Sequence, residues 1–214
     1  MFDIEQKALQ LQMNPHFIFN SLNSIQSFVI KNDTDKAINY LAKFSQLMRL
    51  ILAHSRETYV PVKDELTALR YYMDIEKLRF DNKFDYDIRV SPKIDDEFME
   101  IPPMLLQPYV ENAIIHGLIN SSKKGHIGIH FELRDEKIYC SIEDNGIGRE
   151  KSEILKKQSG FNRKSRGLII TKERLELLSR QQKQKFSVRI IDLKDGEGEA
   201  RGTRVELEIL YRES

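Results

Sequence analysis

From Ile4 onward, apolar side chains recur at positions 4, 8, 11, 18, 22, 25 and 29, in steps of four and three, with Pro15 in the one place left open. That spacing lines one side of a helix and predicts a coiled-coil-like seam. Asn32-Asp33-Thr34 offers a turn and an N-cap, and a second stripe follows through Ala37, Leu41, Phe44, Met48 and Ile51, widened by Ile38, Ser45 and Leu52. Two helices joined by a short polar turn predict a helical hairpin. Such a hairpin has little interior of its own. Its stripes are expected to be buried by a second copy, giving a four-helix bundle in a homodimer over residues 1–57, or else against the rest of the chain.

Around Glu57 to Pro61 the helical pattern stops, and a third helix starts at Val62, carrying Leu66, Leu69, Tyr72 and Met73. The domain boundary belongs here, between residues 1–57 and 58–214. Beyond it Phe84, Tyr86, Ile88 and Val90 alternate as a strand. Residues 104–116 read as a helix after Pro102-Pro103, with Pro108 as a candidate kink. Ile127 to Leu133 and Ile138 to Ile142 alternate on either side of Arg134-Asp135-Glu136, a hairpin in outline. A helix over 168–178 and two last strands centred on Val188 and Val205 complete the pattern. The fold class expected is α+β: the helical hairpin, then helices on one mainly antiparallel sheet.

Composition changes this picture little. Lys and Arg total 34 against 33 Asp and Glu, so bulk charge gives no reason to expect direct nucleic-acid binding, and any phosphate binding must be local. The one cysteine, Cys140, alternates with apolar residues in a strand and suits a reducing cytoplasm. No run approaches the roughly 18 apolar residues that span a bilayer, so the chain as given is expected to be soluble.

Five places carry candidate chemistry. Asp144-Asn145-Gly146-Ile147-Gly148 follows a strand directly. Two glycines let a backbone approach a ligand closely, and an Asp at a strand end can accept a hydrogen bond from an exocyclic amine such as that of adenine; alone, the cluster is an ordinary turn. Glu111-Asn112-Ala113-Ile114-Ile115-His116-Gly117 sets Asn112 and His116 one turn apart on a helix. An Asn carbonyl with substrate phosphates suits Mg2+, and Glu111 is a candidate general base. His16, beside Pro15 in a helix, is a candidate imidazole nucleophile. Arg149, Lys151, Lys156, Lys157, Arg163, Lys164 and Arg166 form a basic segment fit for a lid over triphosphate or for a solvated loop. Thr203, opening the last strand, can share a water or an adenine edge with Asp144.

Taken in order, Pro15-His16-Phe17-x-Phe19-Asn20, Glu111-Asn112-Ala113-x-x-His116-Gly117, Asp144-x-Gly146-x-Gly148, Gly167-Leu168, Arg174-Leu175 and Gly202-Thr203 closely resemble the LytS-like sensor histidine kinases. The resemblance covers almost the whole chain. It implies a GHKL-type ATP-binding domain after a dimerising hairpin, with ATP and Mg2+ as cofactors. His16 matches the phosphoacceptor, Asn112 the magnesium ligand, Glu111 its acidic neighbour and Asp144 the adenine-contacting carboxylate. Gly146 and Gly148 match the first glycine box, Gly167 and Leu168 the second, and Thr203 the threonine of the last strand. Phe17 stands where many histidine kinases have an acid, and Ser165 where a fuller second box has glycine. The family implies phosphate transfer to a response regulator, often of LytTR type, and a membrane sensor upstream, with this part facing the cytoplasm. Two rivals stay open: a dimeric ATP-binding scaffold without phosphotransfer, and a GHKL-type ATPase in which Glu111 activates water.

Overall fold

The computed structural model describes residues 15–158, 171, 173 and 186–213. The seam before Pro15, Gly167 and Leu168, the lid residues Arg163, Lys164 and Arg166, and most of the predicted helix over 168–178 lie outside the described residues. Helices α1 (Pro15–Ile30) and α2 (Thr34–His54) form the expected hairpin. Asn32 turns the chain at φ 56°, a conformation its short polar side chain tolerates, and Asp33 caps α2 by accepting a hydrogen bond from the Lys36 amide.

One side of this hairpin faces inward. Phe17, Phe28, Tyr40, Leu47 and Ile51 join a core continuous with α3 (Val62–Arg79), which follows β1 (Val60–Pro61). The rings of Phe17 and Tyr72 lie 5.3 Å apart and those of Phe17 and Phe44 6.2 Å apart. The chain therefore buries part of the hairpin against its own later half. Another stripe stays in solvent, including Phe19, Leu22, Val29 and Ile30 on α1 and Ile38, Leu41 and Leu52 on α2.

The main sheet has the order β2-β4-β5-β7-β6, where β2 is Phe84–Val90, β4 Gly125–Arg134, β5 Lys137–Asp144, β7 Ala200–Ile209 and β6 Ser187–Lys194. Only β2 and β4 pair in parallel, with Phe84 opposite Gly125. Alternation sorts the faces: Ile127, Ile129, Phe131, Ile138, Cys140, Ile142, Leu207 and Ile209 are buried, while Arg204 pairs with Glu143 and Lys137 with Glu208 on the other side. Asp135 and Glu136 at φ 46° and 58° make the tight β4–β5 turn that the sequence predicts. A second small sheet, β1 with β3 (Met99–Ile101) and β8 (Arg212–Glu213), was not expected.

Two local readings need correction. The predicted helix over 104–116 is a short α4 (Gln107–Asn112) running into a π-helical turn, Ala113–Leu118. Pro108 sits in the first turn of α4, where its missing N–H costs nothing, and does not kink it. The first part of the basic segment, expected as a lid or a solvated loop, forms helix α5 (Gly148–Gln158). Among the described residues no helix is long and apolar enough to cross a membrane.

Candidate functional site

The centre of the site is a packing of three chain segments around Asp144, which ends β5. Asp144 is 6% exposed and its carboxylate accepts a hydrogen bond from the Gly146 amide at 2.8 Å. Burial pushes its carboxyl up to about 6, against the opposing pull of the Gly146 and Thr203 backbone hydrogen bonds. Thr203 lies directly across the β5–β7 ladder from Asp144.

Glycine is dictated at this point by contact. A β-carbon on Gly117 would stand 2.9 Å from Asp144 Oδ1, and one on Gly146 would stand 2.5 Å from the Gly117 carbonyl carbon. The Ile147 amide donates to Gly117 O at 3.2 Å, locking the glycine turn under the end of the π-helical segment. Gly202, at φ 137°, passes so close that a β-carbon would come within 1.8 Å of the Asp144 carbonyl oxygen. Asn145 completes the floor, its Oδ1 accepting from the His126 amide at 2.7 Å and its Nδ2 donating to Lys124 O at 3.3 Å. Gly148 adopts φ 76° where α5 leaves the turn, close to Ala200.

Asn112 ends α4 half-buried, and its Nδ2 donates to Pro108 O at 2.6 Å. With the donor side of the amide committed to backbone, the carbonyl oxygen is the end that can ligate a cation. One hard oxygen with phosphates and waters suits Mg2+, which rarely takes an all-protein cage. Among the described residues no three His, Cys, Asp or Glu side chains are grouped so as to hold a metal ion. His116 lies inside the π-helical turn that follows Asn112, four residues and so still about one turn further along.

Burial, and to a smaller extent the charge of Glu111 beside Asn112, raises both the carboxyl of Glu76 and the hydroxyl of Tyr72 on α3. Glu76 is 1% exposed, and burial pushes it up to about 7. Arg79 Nη2 lies 2.6 Å from Glu76 Oε2, but off the line of a hydrogen bond, so neither oxygen of Glu76 has a hydrogen-bond partner. Sequence reasoning missed both Glu76 and Glu65. Glu65 is 2% exposed and its carboxylate accepts from the amides of Met104 at 2.7 Å, Leu105 at 3.0 Å and Leu106 at 3.3 Å.

His16 lies on α1, outside the segments that build the glycine cluster. It is exposed on α1, with Asn20 Nδ2 3.1 Å from its Nδ1, and α1 meets the later half of the chain through Phe17 and Tyr72. Of the basic segment, Arg149 is paired with both carboxylate oxygens of Asp192 and Lys151 with Glu199. Both charges are thus tied to the β6–β7 hairpin.

A family model described as histidine kinase matches residues 4–84. The sensor protein LytS of Staphylococcus epidermidis is 35% identical over 146 residues, 68% of this chain and 24% of that protein. LytS of Streptococcus mutans is 39% identical over 67% of this chain and 24% of its own length, and LytS of Enterococcus faecalis is 31% identical over 97% and 34%. Among solved structures, the catalytic domain of histidine kinase ThkA is similar at 17% identity, covering 72% of this chain and 94% of that one, with a TM-score of 0.48. The chain spans about a quarter of the length of the first curated relatives it matches.

Proposed function

Since the chain belongs to the family of LytS-like sensor histidine kinases, we propose that it is the catalytic core of such a kinase, phosphorylating His16 from Mg-ATP. Asp144 accepts a hydrogen bond from the adenine amine, assisted by Thr203 across the ladder. Gly146, Gly148 and Gly202 let the backbone close around the nucleotide. Asn112 Oδ1 would hold Mg2+, which would supply charge neutralisation at the phosphates. Glu111 and His116 flank it on the same segment. Gly167 and Leu168 carry the second glycine box, as the family motif implies.

A ring nitrogen of His16 attacks the γ-phosphorus in line, forming the N–P bond as the bond to the departing ADP breaks, and the imidazole proton passes to solvent. Catalysis rests on positioning and charge rather than on covalent chemistry from the ATP half. Residues 1–57 form the phosphoacceptor and dimerisation unit and residues 58–214 the ATP-binding unit. The exposed stripe from Leu22 and Val29 to Leu41 and Leu52 supports a homodimer, in which a second copy covers it.

Phosphohistidine passes on to a response regulator, of LytTR type by the family resemblance. The histidine kinase ThkA is known in complex with the response regulator TrrA. The chain works at the cytoplasmic face of a membrane, as one part of a longer sensor protein.

The observation that carries this reading is the convergence of Gly117, the Asp144–Gly146 turn and Gly202–Thr203, distant in sequence, into one close-packed cradle, with Asn112 on the helix that runs into the Gly117 turn. Titrating the chain with ATP in a calorimeter, with and without Mg2+, tests it: binding that strengthens with Mg2+ and collapses in Asp144→Ala is expected. Equal binding by Asp144→Ala would remove the adenine assignment.

A further inference from the structure

Glu65 is a charged side chain buried in the first turn of α3, and the nucleotide chemistry does not use it. A carboxylate out of water is costly unless it is well hydrogen-bonded. Glu65 meets that condition with both oxygens: Oε2 accepts from Met104 N, and Oε1 from Leu105 N and Leu106 N. These are three consecutive amides immediately before α4, the helix that ends in Asn112. They are donors that no intrahelical acceptor can satisfy, and a negative charge is favoured there.

Met104 is buried with φ 56°, a strained conformation for a residue that is not glycine. Such strain persists only where the surroundings impose it, and the Met104 amide is the one held at 2.7 Å by Glu65. At the same end of α3, the neighbouring Asp64 lies 3.8 Å from Nε2 of His54, in the last turn of α2. Adjacent residues thus face the end of the helical hairpin and the beginning of the Asn112 segment.

We infer that Glu65 is a positioning residue: it ties the start of the Asn112 helix to α3, and so sets the place of the cation-ligating amide relative to the hairpin. This rests on the kinase reading for its functional consequence, but not for the tie itself. Glu65→Gln keeps one acceptor oxygen, whereas Glu65→Leu keeps none, so the two variants grade the loss.

The test combines amide hydrogen exchange of the whole chain with Mg-ATP affinity. Losing hydrogen bonds to a charged acceptor raises local opening by about tenfold or more. Exchange at Met104–Leu106 and onward to Leu118 is expected to rise in that measure in Glu65→Gln and further in Glu65→Leu, while the β4 and β5 amides keep their protection. Mg-ATP affinity is expected to fall in the same order, and ATP affinity without Mg2+ to change less. Exchange that rises uniformly over the chain, or leaves 104–118 unchanged, would overturn the inference. If the unmodified chain binds no ATP, the kinase reading fails, and the exchange pattern still decides whether Glu65 holds this segment.

Discussion

The ring of Phe17 lies 5.3 Å from the ring of Tyr72, so the residue after the candidate phosphoacceptor points into the core and leaves His16 in solvent. Phe17 occupies the place where many histidine kinases have a proton-accepting acid, and here that place is a packing position. Phe17→Ala is expected to cost about 3–5 kcal/mol, the usual range for emptying a buried aromatic site. Phe17→Glu, although it restores an acid, is expected to destabilise at least as much by burying an unpaired charge. Urea unfolding of both variants measures the effect; an acid at this position that raised activity without loss of stability would contradict the packing role.

The glycine cradle makes a ranked prediction. A methyl at Gly202 meets the Asp144 carbonyl oxygen at 1.8 Å on a positive-φ backbone, one at Gly146 meets the Gly117 backbone at 2.5 Å, and one at Gly117 meets only a carboxylate oxygen at 2.9 Å. Alanine at Gly202 should therefore damage the fold most and at Gly117 least, because a side chain can shift where backbone cannot. Gly117→Ala should instead weaken ATP binding, since it displaces the Asp144 carboxylate. Melting temperature and nucleotide affinity, measured on the same three variants, check the two orders.

Much of this was legible in the sequence because it rests on period. Strict alternation gave β2, β4 and β5, and the 3.6-residue stripe gave α1, α2 and α3. The small sheet escaped because Val60–Pro61, Met99–Ile101 and Arg212–Glu213 are too short to show any period. The π-helical turn escaped because its cause is tertiary: Gly117 must sit under Asp144 and give its carbonyl to Ile147, which no local pattern announces. Asn112, Asp144, Gly146 and Thr203 stood out by residue type, and their roles come from the family resemblance. Glu65 and Glu76 were passed over, although they lie on the same stripe as Val62, Leu66, Leu69, Tyr72 and Met73. A carboxylate on an apolar stripe was the available signal.

Asp144 predicts a pH dependence of binding. An amine donor favours the ionised carboxylate, and burial holds this group up at about 6 rather than 3.8. Affinity for ATP should be flat above that value and fall by up to about tenfold per pH unit below it. In Asp144→Asn, affinity should be weaker and level between pH 5 and 7 (about the range of the titration). Calorimetry across that range decides it; a parallel decline in both proteins would assign the titration to another group.

Glu76 predicts a pH dependence of stability with the opposite sign to the common carboxylate case. Its folded value, about 7, lies above the ordinary 4.5, so the fold favours the protonated form. That contribution is complete below the ordinary value and is lost as pH rises through about 7. His54, whose burial lowers it from 6.5, works the other way by losing stability as pH falls. The difference between the native chain and Glu76→Gln isolates the first effect. The variant should gain relative stability, on the order of 2–3 kcal/mol, between acid and mildly alkaline pH. A pH-independent difference in denaturant midpoints would contradict it.

The central claim is that His16 receives phosphate from ATP held at Asn112 and Asp144. The direct measurement is incubation of the chain with γ-labelled ATP and Mg2+, beside His16→Gln and Asn112→Ala, followed by assay for protein label that is acid-labile and stable to alkali. The account predicts such label in the native chain and its loss in both variants. Label that survives His16→Gln, or steady phosphate release with no labelled protein that falls in Glu111→Gln, would contradict it and point to a different acceptor or to an ATPase.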